Sequence, residues 1–394
     1  MFGWGSPVVF GVVRIVTGLL ALTNFLMILV DFDSWFTERG FIPLWHAKKW
    51  GMVMTEWGSE LPRLNLLSQV TDSRVTMFVY ALCLVSCLLT MVGLWTRLSS
   101  IVMFVTMVSL HHRAPDILHS GDTLLRQMAL YVMLAPSGAA CSLDRLIAIY
   151  KGKAASLPAL VSMWPQRMMQ FQVTLVYFTT VWHKMMGTHW RDGTATWFVP
   201  QLHEFDRFPV PAFVDTQPFV ALTTYGTLVI ELAIAFLAYA KPARMWVLLS
   251  GVLLHAVIEY RFNIPLFSFV MCSTYLAFYD GEEFSSFAKR LGRKLSRFHR
   301  QVALPEGSQL SVRGTALLSA VDPLGLVEVT PGTNSDWVGS DGKHGVSTMI
   351  GACPPLWPFC VFKGFIKRAA NNCLEPIGIK AGKPLVTEGR AELR

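Results

Sequence analysis

The sequence predicts an all-α polytopic membrane protein with about eight transmembrane helices, followed by a basic interfacial helix and a small α/β cytoplasmic tail. Only 15% of the 394 residues are charged, whereas soluble domains carry about 25%. Hydrophobic residues make up 53% of the chain, and the mean hydropathy is +0.43. A soluble chain of this length needs more polar surface around its core, so we expect lipid to cover much of this one.

Eight apolar runs approach the roughly 20 residues that a helix needs to cross a bilayer. The predicted spans are 8–30, 75–95, 99–111, 123–141, 167–186, 218–240, 243–260 and 264–279. Arg14 is the one charged residue in the first run, and Pro136 interrupts the fourth. Because the first run is long and no basic segment precedes it, we expect a membrane anchor and not a cleaved signal peptide.

Basic residues mark one side of the predicted bundle. They lie at Arg97, in the loop 145–167, at Lys241 and Arg244, and after the last span. With eight alternating helices these positions share one side, which the positive-inside rule makes cytoplasmic. We therefore expect a multi-pass protein of the plasma (inner) membrane with both termini in the cytoplasm. The loops 31–74 and 187–217 then face outside.

The segment 284–300 predicts an amphipathic helix on the inner leaflet, because its apolar residues recur at helical spacing among basic ones. The stretch 281–300 holds six basic and two acidic residues, which is four of the eight excess positive charges. This local excess favours contact with anionic lipid and does not predict a nucleic-acid partner. The alternative is a solvated helix packed on the tail.

These features divide the chain into three predicted regions. Residues 1–280 form the transmembrane domain, 281–300 the interfacial helix, and 301–394 a small soluble region. The soluble region is expected to contain a strand at 326–330 and a helix at 359–371.

Ionisable residues inside or at the ends of predicted spans are candidate functional residues, because their burial in lipid is costly. They form five groups: Arg14; His111, His112, Asp116, His119 and Asp122; His183 and Lys184; Glu231; and His255 with Glu259. By the predicted orientation the histidine-containing groups lie toward the outer side, where they could line one pocket. No metal site is predicted, because the histidine spacing matches no standard ligand pattern.

Lys184 is the strongest candidate for chemistry. A lysine near the mouth of an apolar bundle can lose its proton because desolvation disfavours the charged form, and a neutral amine is a general base. The alternative is that Lys184 extends to the lipid headgroups. His255 equally fits a hydrogen-bonded packing residue. Glu231 would be a buried partner of Arg14 or of a donor on another helix.

Three motifs resemble the HTTM superfamily, which includes the vitamin K-dependent γ-glutamyl carboxylases. The stretch VWHKMMGTHWRDGTA places Lys184 before a W-x-[DE]-G pattern that begins at Trp190. The stretch HAVIEYRFNIPLFSFVM begins at His255, and an S-x-D motif lies at 142–144. In this order the motifs cover roughly residues 5–285.

The resemblance implies an enzyme that oxygenates a reduced quinone. A lysine at the position of Lys184 would deprotonate reduced vitamin K or menaquinol, O2 would then generate a stronger base, and CO2 would add to a deprotonated glutamate carbon. The predicted catalytic residues are Lys184, His183 and Asp122, and the predicted substrate-binding residues are His255, Trp190, His112 and Glu259.

The sequence departs from the carboxylases in two places. Ser120, Gly121 and Asp122 stand where the carboxylases have an Asn-Asn-His motif, and no large extramembrane domain is expected. Carboxylation of a protein glutamate is therefore not expected. The competing hypothesis is a non-catalytic membrane scaffold or lipid-binding protein in which these motifs hold helices together.

Overall fold

The apolar runs of the sequence fold into long helices in the computed structural model. It describes residues 3–54, 60–62, 64–155, 157–201, 206–294, 300–305, 327–332 and 338–339. Contacts divide the chain into two units, Met1–Phe287 and Ala288–Arg394. The described chain is mostly helical, as predicted.

The helices of the described chain follow the predicted order. They are α1 (Val8–Leu29), α2 (Phe32–Phe36), α3 (Leu44–Gly51), α4 (Ser73–Val92), α5 (Thr96–Arg113), α6 (Ser120–Leu134), α7 (Leu143–Tyr150), α8 (Trp164–Met186), α9 (Thr188–Arg191), α10 (Ala195–Phe198), α11 (Gln217–Leu237), α12 (Lys241–Arg261), α13 (Phe267–Thr274) and α14 (Gly281–Lys294). Short 3-10 helices lie at Pro115–Ile117, Val199–Gln201, Ala212–Asp215 and Tyr275–Phe278.

Two small strand pairs accompany these helices. Strand β1 (Trp4–Gly5) pairs antiparallel with β4 (Val161–Ser162), which ties the start of α1 to the start of α8. Between α3 and α4, β2 (Met52–Met54) pairs antiparallel with β3 (Glu60–Pro62).

Four helices of the described chain are long and apolar enough to cross a membrane, namely α1, α4, α11 and α12. The predicted spans 99–111, 123–141 and 167–186 correspond to α5, α6 and α8. Helix α6 ends at Leu134, short of the predicted Cys141, because Pro136 lacks the N–H that would continue the helix and restricts the residue before it. The predicted span 264–279 is the short α13 continued by a 3-10 turn.

Local sequence signals explain several helix boundaries. Proline occupies the first turn of α8, α11 and α12, where no intrahelical bond needs its missing N–H. Asp72 caps α4 by accepting a hydrogen bond from the Arg74 N–H at 2.8 Å. The same helix ends at Gly93, whose φ of +72° is the left-handed conformation typical of a C-terminal glycine.

The first unit packs its helices around a common apolar core. Helix α1 contacts α4, α6 and α13, while α8 contacts α11, and α11 contacts α12. Large apolar side chains remain exposed on the outward faces, including Phe78, Leu222, Val229, Trp246 and Val257. An apolar exterior of this extent agrees with the expectation that lipid covers the molecule.

The two ends of this helix bundle differ in chemistry. One end, called here the basic end, holds the starts of α1, α8 and α12. Arg14 of α1 donates to the Ser137 carbonyl in the α6–α7 connection and packs against Gly93 in the α4–α5 connection. Gln166 of α8 and Arg244 of α12 both donate to carbonyls of the 3-10 turn after α13.

The opposite end, called here the histidine end, joins the C-terminal parts of α1, α5, α8 and α12 to the starts of α6 and α13. The candidate residues Lys184, His255 and Asp122 belong to this half of the bundle.

The second unit contains a small sheet. Strand β5 (Arg300–Pro305) pairs parallel with β6 (Val327–Gly332) and antiparallel with β7 (Val338–Gly339). Strand β6 lies at the predicted strand 326–330. The predicted amphipathic helix 284–300 corresponds to α14, but its predicted end was wrong, because Arg300 pairs in β5. Residues 295–299 and the predicted helix 359–371 lie outside the described residues.

Candidate functional site

Lys184 lies near the end of α8 and forms an ion pair with Glu231 of α11. The Nζ atom of Lys184 donates a hydrogen bond to Oε1 of Glu231 at 2.5 Å. The two side chains are only 19% and 9% exposed. The donor for Glu231 therefore comes from a neighbouring helix, as one of the two sequence interpretations had it. Arg14 instead donates to the Ser137 and Cys141 carbonyls.

Trp190 covers the ammonium group of Lys184, with 4.6 Å between Nζ and the ring centroid. A tryptophan face attracts a cation through its negative quadrupole. Helix α8 ends at Gly187, and the short helix α9 turns the chain back to bring Trp190 over Lys184. The ammonium group is thus held between a carboxylate and an aromatic ring.

The rest of the W-x-D-G motif forms the turn that follows Trp190. Gly193 has a φ of +79°, and a Cβ there would lie 2.9 Å from the ring of Tyr225 on α11. Only glycine meets both demands without strain. The Thr194 hydroxyl donates to Oδ1 of Asp192 at 2.6 Å, and this hydrogen bond lowers the pKa of the Asp192 carboxyl. The motif is therefore a turn that docks on α11.

A buried row of three polar side chains lies beside the Lys184–Glu231 pair. The Tyr177 hydroxyl is 2.9 Å from Nε2 of His255 and 2.5 Å from the Tyr275 hydroxyl. His255 is 3% exposed. The charge of Lys184 acts on His255, and that of Glu231 acts on both tyrosines, so the two groups are electrostatic neighbours.

Two buried polar atoms in this neighbourhood have no hydrogen-bond partner among the described residues. They are Oε2 of Glu231 and Nδ1 of His255. Such atoms are rare in folded proteins and call for a ligand, a water molecule or a functional role. Lys184, Glu231, His255, Tyr177 and Tyr275 are called here the Lys184 cluster.

Asp122 lies in the first turn of α6 and caps that helix. It forms a reciprocal capping box at the start of α6, in which the His119 N–H donates to Oδ2 of Asp122 at 2.9 Å and the Gly121 N–H donates to Nδ1 of His119. Asn24 donates to its other oxygen at 3.0 Å. Asp122 therefore makes its polar contacts with α1 and its own helix.

One aromatic residue connects this cap to the Lys184 cluster. The ring of Phe267 lies edge-on to His255 at 5.6 Å between centroids and edge-on to His119 at 6.5 Å. The structure thus places Asp122 and His255 on either side of the N-terminus of α13.

The other three predicted site residues make their recorded contacts elsewhere. His112 bonds through Nδ1 to the Leu64 carbonyl at 2.6 Å. Glu259 pairs with Arg207 of the loop before α11. His183 is exposed on the face of α8 next to Trp182. Across the residues that the structure describes, no three His, Cys, Asp or Glu side chains are grouped to hold a metal ion.

Sequence reasoning missed the two tyrosines of the cluster. Tyr177 precedes Lys184 by seven residues, or two helical turns, and so shares a face of α8 with it. That spacing was the available signal for Tyr177. Nothing in the sequence indicated Tyr275, because its hydroxyl reaches Tyr177 only through the packing of the chain after α13 against α8.

Comparison with known proteins places this architecture in a family. The family model of the HTTM domain matches residues 7–282. The uncharacterized protein YitO of Bacillus subtilis (strain 168) is 29% identical over 110 residues, which cover 26% of this chain and 35% of that protein. No solved structure matches the chain. Because the family match extends over more than half of the sequence and agrees with its apolar helices, the chain belongs to the HTTM domain family and is an integral membrane protein.

Proposed function

We propose that the protein is a membrane enzyme that oxygenates a reduced quinone, in the manner of the vitamin K-dependent carboxylases, with Lys184 as its base. The observation that carries the proposal is the largely buried pair of Lys184 and Glu231, which adjoins the row of His255, Tyr177 and Tyr275. Buried ionisable groups in a membrane protein are rare and mark functional sites.

The Lys184–Glu231 pair supplies a base through one internal proton transfer. In the ion-paired state Lys184 carries the proton. Moving that proton across the 2.5 Å hydrogen bond to Glu231 leaves a neutral amine and a neutral acid, with no change in the net charge of the pair. Low polarity reduces the cost of the neutral form relative to two charges. The neutral amine of Lys184 would then accept a hydroxyl proton from bound quinol.

The donor set of the Lys184 cluster fits a quinol. The unpartnered Oε2 of Glu231 and Nδ1 of His255 are two buried hydrogen-bonding atoms for its hydroxyl groups. The rings of Trp190 and Phe267 give aromatic surface beside them. A reduced vitamin K or menaquinol, together with O2, would supply the oxygenation chemistry that these side chains lack.

The proposed topology has eight crossings, with the histidine end outside and the basic end in the cytoplasm of a plasma (inner) membrane. Helices occur at all the predicted spans, and the basic end gathers Arg97, Arg145, Arg167, Lys241 and Arg244. The proposed interfacial helix α14 and then the proposed cytoplasmic tail 301–394 follow. Helix α14 exposes Phe287 and Leu291 beside Lys289 and Arg290, which supports its contact with anionic lipid.

Turnover of quinol by purified protein tests the proposal. Menaquinol under O2, with and without CO2, should be converted to its epoxide by the unaltered protein. We expect Lys184→Met to lower the rate by about 10²- to 10⁴-fold, the contribution of a general base. The control is Lys151→Met, which removes an exposed lysine after α7. Equal rates for Lys184→Met and the unaltered protein would remove Lys184 from the mechanism.

The second candidate function is a non-catalytic scaffold or lipid-binding protein. It is favoured by the fact that each oxygen of Asp122 and the ammonium of Lys184 already has a partner within the bundle. Under this function Lys184→Met lowers the stability of the protein, and no quinol turnover is measured for any variant.

A further inference from the structure

A small cavity of about 160 Å³ lies at the basic end, between the starts of α8 and α12. It is lined by Arg167, Gln170, Tyr239, Lys241, Arg244 and Asp280, and is called here the basic-end pocket. The turn 238–240 between α11 and α12 forms one wall. Helix α11 ends and helix α12 begins at this turn, and both helices are long and apolar enough to cross a membrane. The pocket therefore lies at the level of the lipid headgroups.

The lining of the pocket is cationic, with three basic side chains and one carboxylate. Arg244 is buried and fixed, since its guanidinium donates to the Phe278 carbonyl and to Glu283. It also lies over the ring of Tyr279, 4.8 Å from the centroid. Arg244 is therefore held rigidly, and the Glu283 carboxylate balances its charge.

The other two cations keep unused N–H groups. Arg167 is exposed, and its one recorded polar partner among the described residues is the neutral amide of Gln170, at 2.8 Å. Lys241 is 72% exposed and lies 3.7 Å from Asp280, too far for a hydrogen bond. Two exposed basic side chains with unused N–H groups at the mouth of a pocket favour an anion with several oxygen atoms.

The surface beside the pocket is apolar. Helix α8 exposes Met168 and Phe171 within one turn of Arg167. Helix α11 exposes Phe236 and Leu237 directly before the turn that lines the pocket. An occupant with an anionic head and an apolar tail would use both surfaces.

We propose that the basic-end pocket binds a phosphate ester, with the headgroup phosphate of an anionic membrane lipid as its source. Phosphate oxygens accept from the Arg167 guanidinium and the Lys241 ammonium, and the Tyr239 hydroxyl stands at the same rim. Free phosphate shares this chemistry but would leave the flanking apolar surface unused. None of the residues that line the pocket belongs to the Lys184 cluster, so the proposal does not depend on the function proposed above.

The test measures retention of phosphatidylglycerol by the full-length protein, by native mass spectrometry and by titration in phosphatidylcholine nanodiscs. The test variant is Arg167→Gln with Lys241→Gln, which spares the buried Arg244. The matched control is Lys151→Gln with Lys153→Gln, which removes the same charge from exposed positions after α7. A thermal unfolding curve and a single peak in size exclusion establish that each variant is folded.

We expect the test variant to bind phosphatidylglycerol about thirtyfold more weakly, roughly fivefold for each cation lost near a membrane surface, and the control to change by less than about threefold. A parallel titration with inorganic phosphate separates the sources. Loss of phosphate binding with unchanged lipid binding would assign the pocket to a soluble phosphate. If the test variant binds both probes as the unaltered protein does, or if the control loses as much as the test variant, the proposal is wrong.

Discussion

Lys184 and Glu231 depend on each other, because each leaves a buried ionisable group behind when the other is removed. The structure gives Lys184 one carboxylate partner, with a side chain only 9% exposed. Breaking such a pair costs more than replacing both partners by apolar or neutral groups, since an unpaired charge in a low-dielectric region has no compensation. The coupling free energy of the pair can therefore be measured only when the two positions are changed both singly and together.

We predict that Glu231→Gln lowers the free energy of unfolding by about 3 kcal/mol. In the double variant with Lys184→Met, the loss should be about 1 to 3 kcal/mol smaller than the sum of the losses in the two single variants. The measurement is a double-mutant cycle from unfolding in mixed micelles. Lys48→Met is the control, because it removes an exposed lysine whose ammonium donates to Gln69. Additive costs for the two substitutions would contradict the pairing seen in the structure.

At this scale the sequence identified charged residues better than their partners. Lys184 and Glu231 were found because each interrupts an apolar run. The sequence could not predict that these two residues pair, because 47 residues separate them. Arg14 was an equally acceptable partner for Glu231. Tyr177 and Tyr275 were missed because a tyrosine in an apolar run is indistinguishable from an ordinary core residue until its hydroxyl partner is known.

Helix α5 depends on a cap that comes from another helix. Its preceding residue, Trp95, has a left-handed φ of +46° and no side-chain cap of its own. Asp144 of α7 supplies the cap, accepting from the N–H groups of Trp95 and Thr96 at 2.8 and 2.7 Å and from the Thr96 hydroxyl at 2.7 Å. The S-x-D motif thus serves two helices, since Ser142 caps α7 itself.

Asp144→Ala should free the first turn of α5 and lower the free energy of unfolding by about 1 to 2 kcal/mol, the usual cost of a lost helix cap. Hydrogen–deuterium exchange is the measurement, with faster exchange expected for peptides that contain residues 95–99. Asp72→Ala is the control, because it removes the cap of α4 and should accelerate exchange there alone. Unchanged exchange near Thr96 would show that α5 does not need Asp144.

Element boundaries followed sequence signals where those signals are local. Proline in the first turn of α8, α11 and α12 fixed their starts within three residues of the predicted ones. The region 264–279 was predicted less well. Its apolar composition is continuous, but Leu266 takes a left-handed φ of +55° and the helix changes to 3-10 after Thr274, and packing decides both features.

At the scale of the whole helix bundle, the basic loops lie at one end and the described histidines at the other, although Lys184, Arg113 and Arg126 share the histidine end. In a membrane, the two ends of the bundle would face opposite sides of the bilayer. The sequence predicted this arrangement from loop charges alone, and the structure collects the same loops at one end of the bundle. The number of crossings could not be settled in this way, because α5, α6 and α13 carry too many polar residues or are too short to be recognised from composition.

We expect cysteines placed at the two ends to react from opposite sides of the membrane. In a background without native cysteines, Lys48→Cys on α3 should react with an impermeant maleimide in spheroplasts. Lys153→Cys, in the loop after α7, should react only after the membrane is permeabilised. The labelling yields in detergent serve as the control for reactivity. Labelling of both positions from one side would contradict the proposed topology.

Arg14 has a consequence for the timing of synthesis. Its guanidinium finds its acceptors 123 and 127 residues later in the chain, at the carbonyls of Ser137 and Cys141, with Gly93 packed against it. Until that segment leaves the ribosome, α1 holds a positive charge with no acceptor in an otherwise apolar stretch. The newly made α1 should therefore stay near the aqueous side of the insertion machinery and settle at its final depth only when α6 arrives. A single buried arginine would then delay the final placement of α1 until α6 and the segment after it have been made.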